Sequence, residues 1–326
     1  MLINFEGLQQ NRVSIIDKLK YALSEVSENW NDRIWWKNRF LYYVVGAYFR
    51  RRPNRGIFIM NLDWDNLIIL DACRYDIFCK VYGQKVNHVL SRGSNTVEFL
   101  LENFAHSMFK DTVYITTNPF VSKYCKSNFY RVIPLWDSEW DSELQTVPPD
   151  KVYERTLEFS EIYPDKKLII HFLQPHYPFI GSKKLTIKEL VETSNSVKDD
   201  SLENLELKIL DKVNPYKEVE RGKISISEVK EAYIENLKLV LPYALKLAKK
   251  LEGKTVITSD HGEAFGEIAW PFPIKIYEHP PYVHIPALIK VPLLIIDEGE
   301  RREVHTGDEK YRLKKHIRKL KIKGKL

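Results

Sequence analysis

Two short blocks of this 326-residue chain hold residue types that can do chemistry together: Asp71-Ala-Cys-Arg74-Tyr-Asp76 and Ser259-Asp260-His261-Gly262-Glu263. Each follows at once on an apolar run, Leu67–Leu70 and Thr255–Thr258. A third block, His171-Phe-Leu-Gln-Pro-His176-Tyr-Pro-Phe179, surrounds the end of the run Lys167–Phe172. Glu278-His279-Pro280 comes shortly before a further run, Val291–Ile296. Carboxylates and imidazoles without thiolates are the donor set of a hard or borderline divalent cation. Asp71, Asp260 and His261 are candidate ligands, and the imidazole of His261 favours Zn²⁺ or Mn²⁺ over Mg²⁺. Each piece alone has a plainer explanation. An Asp after a strand is commonly a helix cap, Asp-His-Gly is a turn if Gly262 takes an unusual backbone conformation, and a lone His is more often structural. Caps and turns do not explain why all of them lie at or near the ends of apolar runs.

Such a centre needs a nucleophile. Ser91-Arg-Gly-Ser94-Asn-Thr96-Val-Glu-Phe-Leu100 supplies hydroxyls just ahead of the apolar positions Phe99, Leu100 and Phe104. Thr96 therefore falls at or near a helix N-terminus, where backbone N–H groups favour an anion. A hydroxyl held there beside a divalent cation has its pKa lowered. Thr96 as a simple N-cap is the competing reading, and Ser94 is the fallback nucleophile.

The elements that must position these residues can be read from hydrophobic patterning. Leu67–Leu70, Thr112–Thr116, Lys167–Phe172, Thr255–Thr258 and Val291–Ile296 are predicted strands buried on both faces, as in a parallel sheet. The clearest helix runs from about Ser227 to Leu251. Ser225-x-x-Glu228 can form a capping box, and Val229, Tyr233, Leu237, Val240, Ala244 and Ala248 recur at helical spacing. Pro242 is expected to kink it. Strands alternating with helices predict an α/β three-layer sandwich with a mostly parallel central sheet, in which ligands bind beyond the carboxyl ends of the strands. The expected divisions are an N-terminal helical region at 1–60, a catalytic domain at 61–300 with a polar lid or insertion at about 183–223, and a basic tail at 301–326.

Charge narrows the partners. Lys and Arg number 50 against 44 Asp and Glu. Nine of the basic residues and none of the acidic ones fall in Lys310–Leu326, which leaves the rest of the chain at a net −3. A nucleic-acid-binding body is not supported. With 44% apolar and 29% charged residues, wholesale disorder is excluded. Cys73, Cys79 and Cys125 are odd in number and form no C-x-x-C pair, so a reducing, cytoplasmic compartment is expected. Neither a signal peptide nor an apolar run of membrane-spanning length is recognised. The aromatic and basic stretch at 34–52 reads either as a helix packed on the main domain or as an interfacial helix on an anionic membrane. The tail at 310–326 reads either as a solvated helix or as a second peripheral membrane contact. Trp136 and Trp140 at four-residue spacing belong either to the core or to a sugar-stacking pocket.

The ordered set Asp71-x-x-Arg74-x-Asp76, Ser91-x-Gly-Ser-x-Thr96, Gln174-Pro-His176-x-Pro-Phe179, Ser259-Asp260-His261-Gly262-Glu263 and His279-Pro280 resembles the alkaline phosphatase superfamily. More narrowly, it is similar to the sulfatase-like branch that includes phosphoglycerol and phosphoethanolamine transferases. The resemblance spans roughly residues 62 to 298. It implies that Asp71, Asp260 and His261 bind one divalent cation with Thr96 as fourth ligand and nucleophile. It also implies that His176 touches the transferred phosphoryl or sulfuryl oxygens, and that His279 does likewise or helps hold a second metal. Arg74 is then a candidate for orienting Asp71 or the substrate, with a plain salt bridge as its alternative.

Two departures qualify the resemblance. Formylglycine-dependent sulfatases carry a C/S-x-P-S/A-R motif, and none of Cys73-Arg-Tyr, Cys79-Lys-Val or Cys125-Lys-Ser fits it. Two-zinc members place an extra Asp and His ahead of the Asp-His pair. Here that region offers His171 and His176 with no better acid than Asp165, so one firmly bound metal and an incomplete second site are expected. The expected activity is hydrolysis or transfer of phosphate mono- or diesters, with glycan- and lipid-linked esters among the candidate substrates. The alternatives are a sulfuric ester hydrolase working without formylglycine, or an inactive surface- or glycan-binding homologue.

Overall fold

A computed structural model of the chain describes residues 15–52, 55–183 and 214–306. Its strands are β1 (Asn66–Leu70), β2 (Asn87–Leu90), β3 (Phe109–Thr116), β4 (Phe129–Pro134), β5 (Lys167–Phe172), β6 (Gly253–Thr258), β7 (Ala264–Ile268), β8 (Lys275–Glu278) and β9 (Lys290–Glu298). The five expected strands are β1, β3, β5, β6 and β9. The other four are short and only partly buried, so they carry little hydrophobic signal.

Seven strands form one sheet in the order β2-β9-β6-β1-β5-β3-β4, and β7 pairs with β8 in a separate hairpin. β6, β1, β5, β3 and β4 are parallel, as expected. β9 is not: it runs antiparallel to both β6 and β2. The difference has a functional consequence. An antiparallel β9 begins at the rim where β6 ends, so the chain just ahead of it is brought to the carboxyl ends of the parallel strands.

Period-two alternation sorts the side chains into two cores. Ile68, Leu70, Val113, Ile115, Leu168, Ile170, Phe172 and Ile257 face one way, under helices Tyr75–Tyr82, Pro149–Ile162 and Ile226–Lys250. Leu67, Ile69, Tyr114, Ile169 and Val256 face the other, under helices Thr96–Phe104 and Pro119–Cys125. This is the three-layer α/β sandwich that the sequence predicts.

The Ile226–Lys250 helix is opened by the Ser225–Glu228 capping box and passes through Pro242 without interruption. Its buried face also carries two polar clamps. The Tyr233 hydroxyl donates to Ala72 O at 2.7 Å and accepts from Arg74 N at 2.8 Å, which fixes the loop after β1. Asn236 donates to His176 O at 3.0 Å and to Pro178 O at 3.1 Å, and accepts from Ile180 N at 2.9 Å, which fixes the loop after β5. One helix thus holds two of the loops that carry candidate site residues.

At the N-terminal end, helices Ile15–Asn29, Arg33–Phe40 and Gly46–Arg50 are described, the last two joined by a π-turn at Leu41–Val45. Leu41, Val45 and Phe49 pack on Ala264, Ala269, Ile276, Val283, Ile285 and Leu288, so the aromatic stretch is in part a packed helix. Trp136 is buried in the main core, which answers the stacking alternative for that residue. Most of the expected lid, and the tail 310–326, lie outside the described residues.

Removing the Tyr233 hydroxyl leaves one buried amide and one carbonyl unpaired. Tyr233→Phe is expected to lower unfolding stability by about 1–3 kcal/mol, read as a lower urea midpoint at unchanged slope.

Candidate metal centre and nucleophile

Asp71 follows β1 and Asp260 lies two residues past β6, its parallel neighbour, so their side chains meet at one rim. Both are buried. Asp260 is fixed through one oxygen: Oδ1 accepts from Ala72 N at 3.0 Å and from His261 N at 2.9 Å. Ser259 links the two strand ends by donating to Leu70 O at 2.6 Å and accepting from Cys73 N at 2.7 Å. Asp71 Oδ2 accepts from Asn118 Nδ2 at 2.6 Å, while Asp71 Oδ1 is buried without a hydrogen bond. Ala72 takes a left-handed φ of 58°, a conformation that is costly for a residue with a Cβ. The bonds from its amide to Asp260 and from Tyr233 to its carbonyl hold it there.

Thr96 is the first residue of its helix, not its cap. The cap is Asn95, whose side chain accepts from Glu98 N. The Thr96 hydroxyl is therefore spared capping duty. It donates to Asp260 Oδ2 at 2.8 Å and lies 3.3 Å from His261 Nε2. His261 Nδ1 donates to Gly262 O at 2.8 Å, which leaves Nε2 with its lone pair facing the carboxylates. That nitrogen is 3.6 Å from Asp71 Oδ1 and 3.4 Å from Asp260 Oδ2. Burial depresses the pKa of His261, with the nearby carboxylates only partly opposing it, so the ring is held neutral, as a ligand must be.

These separations test whether the residues fit a cation. In a tetrahedral site with ligand distances of about 2.0–2.1 Å, ligand atoms sit about 3.3–3.4 Å apart. Separations of 3.3, 3.4 and 3.6 Å from His261 Nε2 to Thr96 Oγ1, Asp260 Oδ2 and Asp71 Oδ1 match that edge. The orphaned Asp71 Oδ1 is one of the four donors. Two buried carboxylates this close also repel and lack the solvation that a charge needs. A divalent cation fits the donor set.

His171, on β5, points Nε2 at the same place, 3.6 Å from Asp71 Oδ2 and 3.8 Å from Asp260 Oδ2. Its other ring nitrogen is 3.0 Å from the Tyr114 hydroxyl. Burial opposes the charge of Asp71, but His171 holds its carboxyl below the usual range.

A second group stands beside the first. His176, Glu263 and His279 each place a ligand-type atom within 4.8 Å of the others. The hairpin makes this pairing. Ala264 on β7 is opposite Glu278 on β8, which sets Glu263, just before β7, against His279, just after β8. His279 Nδ1 is 3.1 Å from Glu263 Oε1. The His279 ring lies 4.5 Å from that of His261 and 5.1 Å from that of His176. His176 Nδ1 donates to Tyr177 O at 2.6 Å, which sets its ring orientation. The acid of the second group is thus Glu263 rather than Asp165. Asp165 precedes β5 and sits at the opposite end of that strand from His171, about 20 Å away along the chain.

Other sequence candidates take supporting places. Arg74 pairs with Asp76 at 2.6 Å and with Glu267, and donates to Glu263 O at 3.2 Å, so its guanidinium braces the Glu263 loop. Ser94 is not poised as a nucleophile. Its hydroxyl is committed to Glu98 Oε2 at 2.9 Å and Pro280 O at 3.0 Å. Glu98, which the sequence did not single out, also takes His284 Nε2 at 2.6 Å and joins the Thr96 helix to the segment after His279. Burial works against its charge, but the hydrogen bond and charge of His284 hold its carboxyl below the usual range. Gly262 does not serve a left-handed turn. A Cβ there would lie 2.1 Å from Ala287 O, so the requirement is space. Cys73 and Cys125 are buried free thiols whose pKa is pushed up by burial, which makes them unreactive.

No family model matches the chain, and no curated protein matches it. Solved structures similar to it include the integral membrane lipooligosaccharide phosphoethanolamine transferase A of Neisseria meningitidis, at 12% identity over 72% of this chain and a TM-score of 0.44. The chain spans 47% of that protein's length. The C-terminal periplasmic domain of phosphoethanolamine transferase EptC from Campylobacter jejuni matches at 18% identity over 71% of this chain and 77% of its own, with a TM-score of 0.41. A Vibrio parahaemolyticus protein of the alkaline phosphatase superfamily matches at 12% identity over 72% and 62%, with a TM-score of 0.38. The chain is similar in fold to these proteins. At such identities the likeness concerns the fold alone, and the chemistry rests on the side chains described above. The solved EptC structure is a periplasmic domain. No helix among the described residues is long and apolar enough to cross a membrane.

His279 gives the site a pH signature. Burial lowers its pKa, but the Glu263 carboxylate more than offsets this and pushes it up to about 9 from 6.5. A pKa raised on folding contributes stability that is complete below the unfolded value and is lost as pH rises through the folded one. Chelator-treated protein is therefore expected to lose unfolding stability between about pH 6.5 and 9. His279→Gln should flatten that decline, and superimposable profiles would refute the pairing.

Proposed function

We propose that the chain is a metal-dependent enzyme of phosphate ester transfer or hydrolysis with Thr96 as nucleophile. The observation that carries the reading is the Thr96 hydroxyl: Asn95 relieves it of capping, and it sits against Asp260 and His261 beside the orphaned oxygen of Asp71. A divalent cation held by Asp71, Thr96, Asp260 and His261 would supply the positive charge that lowers the pKa of this hydroxyl and polarises a phosphoryl oxygen.

The chain's own groups account for the rest. The Thr96 proton, now donated to Asp260 Oδ2, would be displaced to solvent when that oxygen turns to the cation. Thr96 Oγ1 attacks phosphorus in line, the bond from phosphorus to the leaving oxygen breaks, and phospho-Thr96 forms. His279, charged over most of the physiological range, donates to a phosphoryl oxygen or to the leaving oxygen, and His176 lies beside it. Water or an acceptor hydroxyl then attacks the same phosphorus and releases Thr96. Whether the outcome is hydrolysis or transfer depends on which of the two reaches the intermediate.

The test is turnover on a panel of phosphate monoester, phosphate diester and sulfate ester. Phosphate esters are expected to be turned over in preference to sulfate. Thr96→Ala should lower kcat by more than about 10³-fold, and His279→Ala by about 10²–10³-fold, as for removal of one oxyanion donor. Ser94→Ala should cost far less than Thr96→Ala. Full turnover by the Thr96→Ala protein on every substrate contradicts the proposal.

A further inference from the structure

The helical stretch that buries Leu41, Val45 and Phe49 presents Trp36, Phe40, Tyr43 and Val44 on its other side, all exposed. The indole of Trp36 donates to Trp30 O at 3.0 Å, and Trp30 is itself 69% exposed. The ring of Phe40 lies edge-on to Phe272 at 5.9 Å. Phe272 belongs to the turn between β7 and β8, which also carries Trp270, 79% exposed, and follows the exposed Ile268 at the end of β7. Two distant parts of the chain thus contribute to one aromatic face. Single exposed apolar residues are ordinary, whereas a contiguous set of this kind marks an interaction surface.

The charge around that face identifies the partner. From Arg33 to Met60 the chain has seven Lys and Arg and no Asp or Glu. Lys37 and Arg39 are tied to Glu220 and Glu25. Arg33, Arg50, Arg51, Arg52 and Arg55 are exposed. Arg50 and Arg52 stack their guanidinium groups over the rings of Tyr282 and Tyr48. Of the acidic residues that flank this stretch, Asp32 is committed to capping the Arg33 helix and Asp63 is paired with Arg301 and Lys254.

We infer that this face docks on an anionic lipid bilayer, with Trp30, Trp36 and Trp270 entering the headgroup region and the arginines meeting the acidic headgroups. Exposed tryptophans flanked by arginines are the composition of an interfacial anchor. The same stretch packs on the segment that follows His279: the ring of Phe49 lies 6.0 Å from that of His284, and Gly46 abuts Pro281 and Tyr282. Docking would therefore hold the candidate site one helix away from the lipid surface. The inference does not depend on the chemistry proposed above.

Co-sedimentation of the full chain with phosphatidylcholine vesicles, with and without phosphatidylglycerol, at low and high salt, tests it. Binding is expected to require phosphatidylglycerol and to weaken at high salt. Trp30→Ser/Trp36→Ser/Trp270→Ser should weaken it by about tenfold or more. Arg33→Glu/Arg51→Glu/Arg55→Glu should abolish the preference for phosphatidylglycerol, and both variants should keep the wild-type circular dichroism spectrum. Undiminished binding by the tryptophan variant would overturn the inference by placing the contact elsewhere, residues 307–326 included. So would light scattering that shows the tryptophan substitutions turning a dimer into a monomer while vesicle binding is unchanged, since the face would then join two copies of the chain.

Discussion

Asp71 and Asp260 carry two carboxylates to adjacent strand ends and bury both. Left alone they would repel, and burial would drive one of them to take up a proton. The surroundings work against that outcome. Backbone amides of Ala72 and His261 occupy one oxygen of Asp260, and Asn118 occupies one oxygen of Asp71. His171 and His261 bring two imidazoles to the remaining oxygens. What remains is an anionic hole whose rim includes a hydroxyl. Most of the local architecture, from the left-handed Ala72 to the Tyr233 clamp, serves to keep that hole in shape.

Topology supplies the second half of the site. A last strand parallel to the others would begin at the far end of the sheet and carry His279 away from Asp260. Because β9 is antiparallel, its start returns to the active rim, and the β7–β8 hairpin delivers Glu263 and His279 as a pair. Glu98 then ties the Thr96 helix to the segment after His279 through Ser94, Tyr282 and His284. Thr96 and His279 are therefore held in register by one buried carboxylate as well as by the sheet.

Much of this was legible in the sequence because buried parallel strands are short, continuous apolar runs, and the residue that follows such a run is marked by position. Asp71 and Asp260 were found in that way, and so was the α/β sandwich. Thr96 was placed near a helix start, but its neighbour Asn95 proved to be the cap, which is what leaves the Thr96 hydroxyl available. Glu263 was within the block that drew attention, yet its partnership with His279 depends on a hairpin ladder that half-exposed strands do not announce. Glu98 looked like an ordinary first-turn acid. His171 lies inside a strand, where alternation alone cannot tell a ligand-facing side chain from a core one. Gly262 reads as a turn glycine, and only the approach of Ala287 shows that it is there for space.

The centre itself is tested most directly by adding Zn²⁺ or Mn²⁺ to chelator-treated protein and following thermal unfolding and bound metal together. Saturable binding should raise stability by about 2.7 kcal/mol at a hundredfold excess of free ion over Kd. Asp71→Asn/Asp260→Asn should abolish that rise. A wild-type protein that binds neither ion, or a double Asn variant that binds as tightly as wild type, would contradict the account.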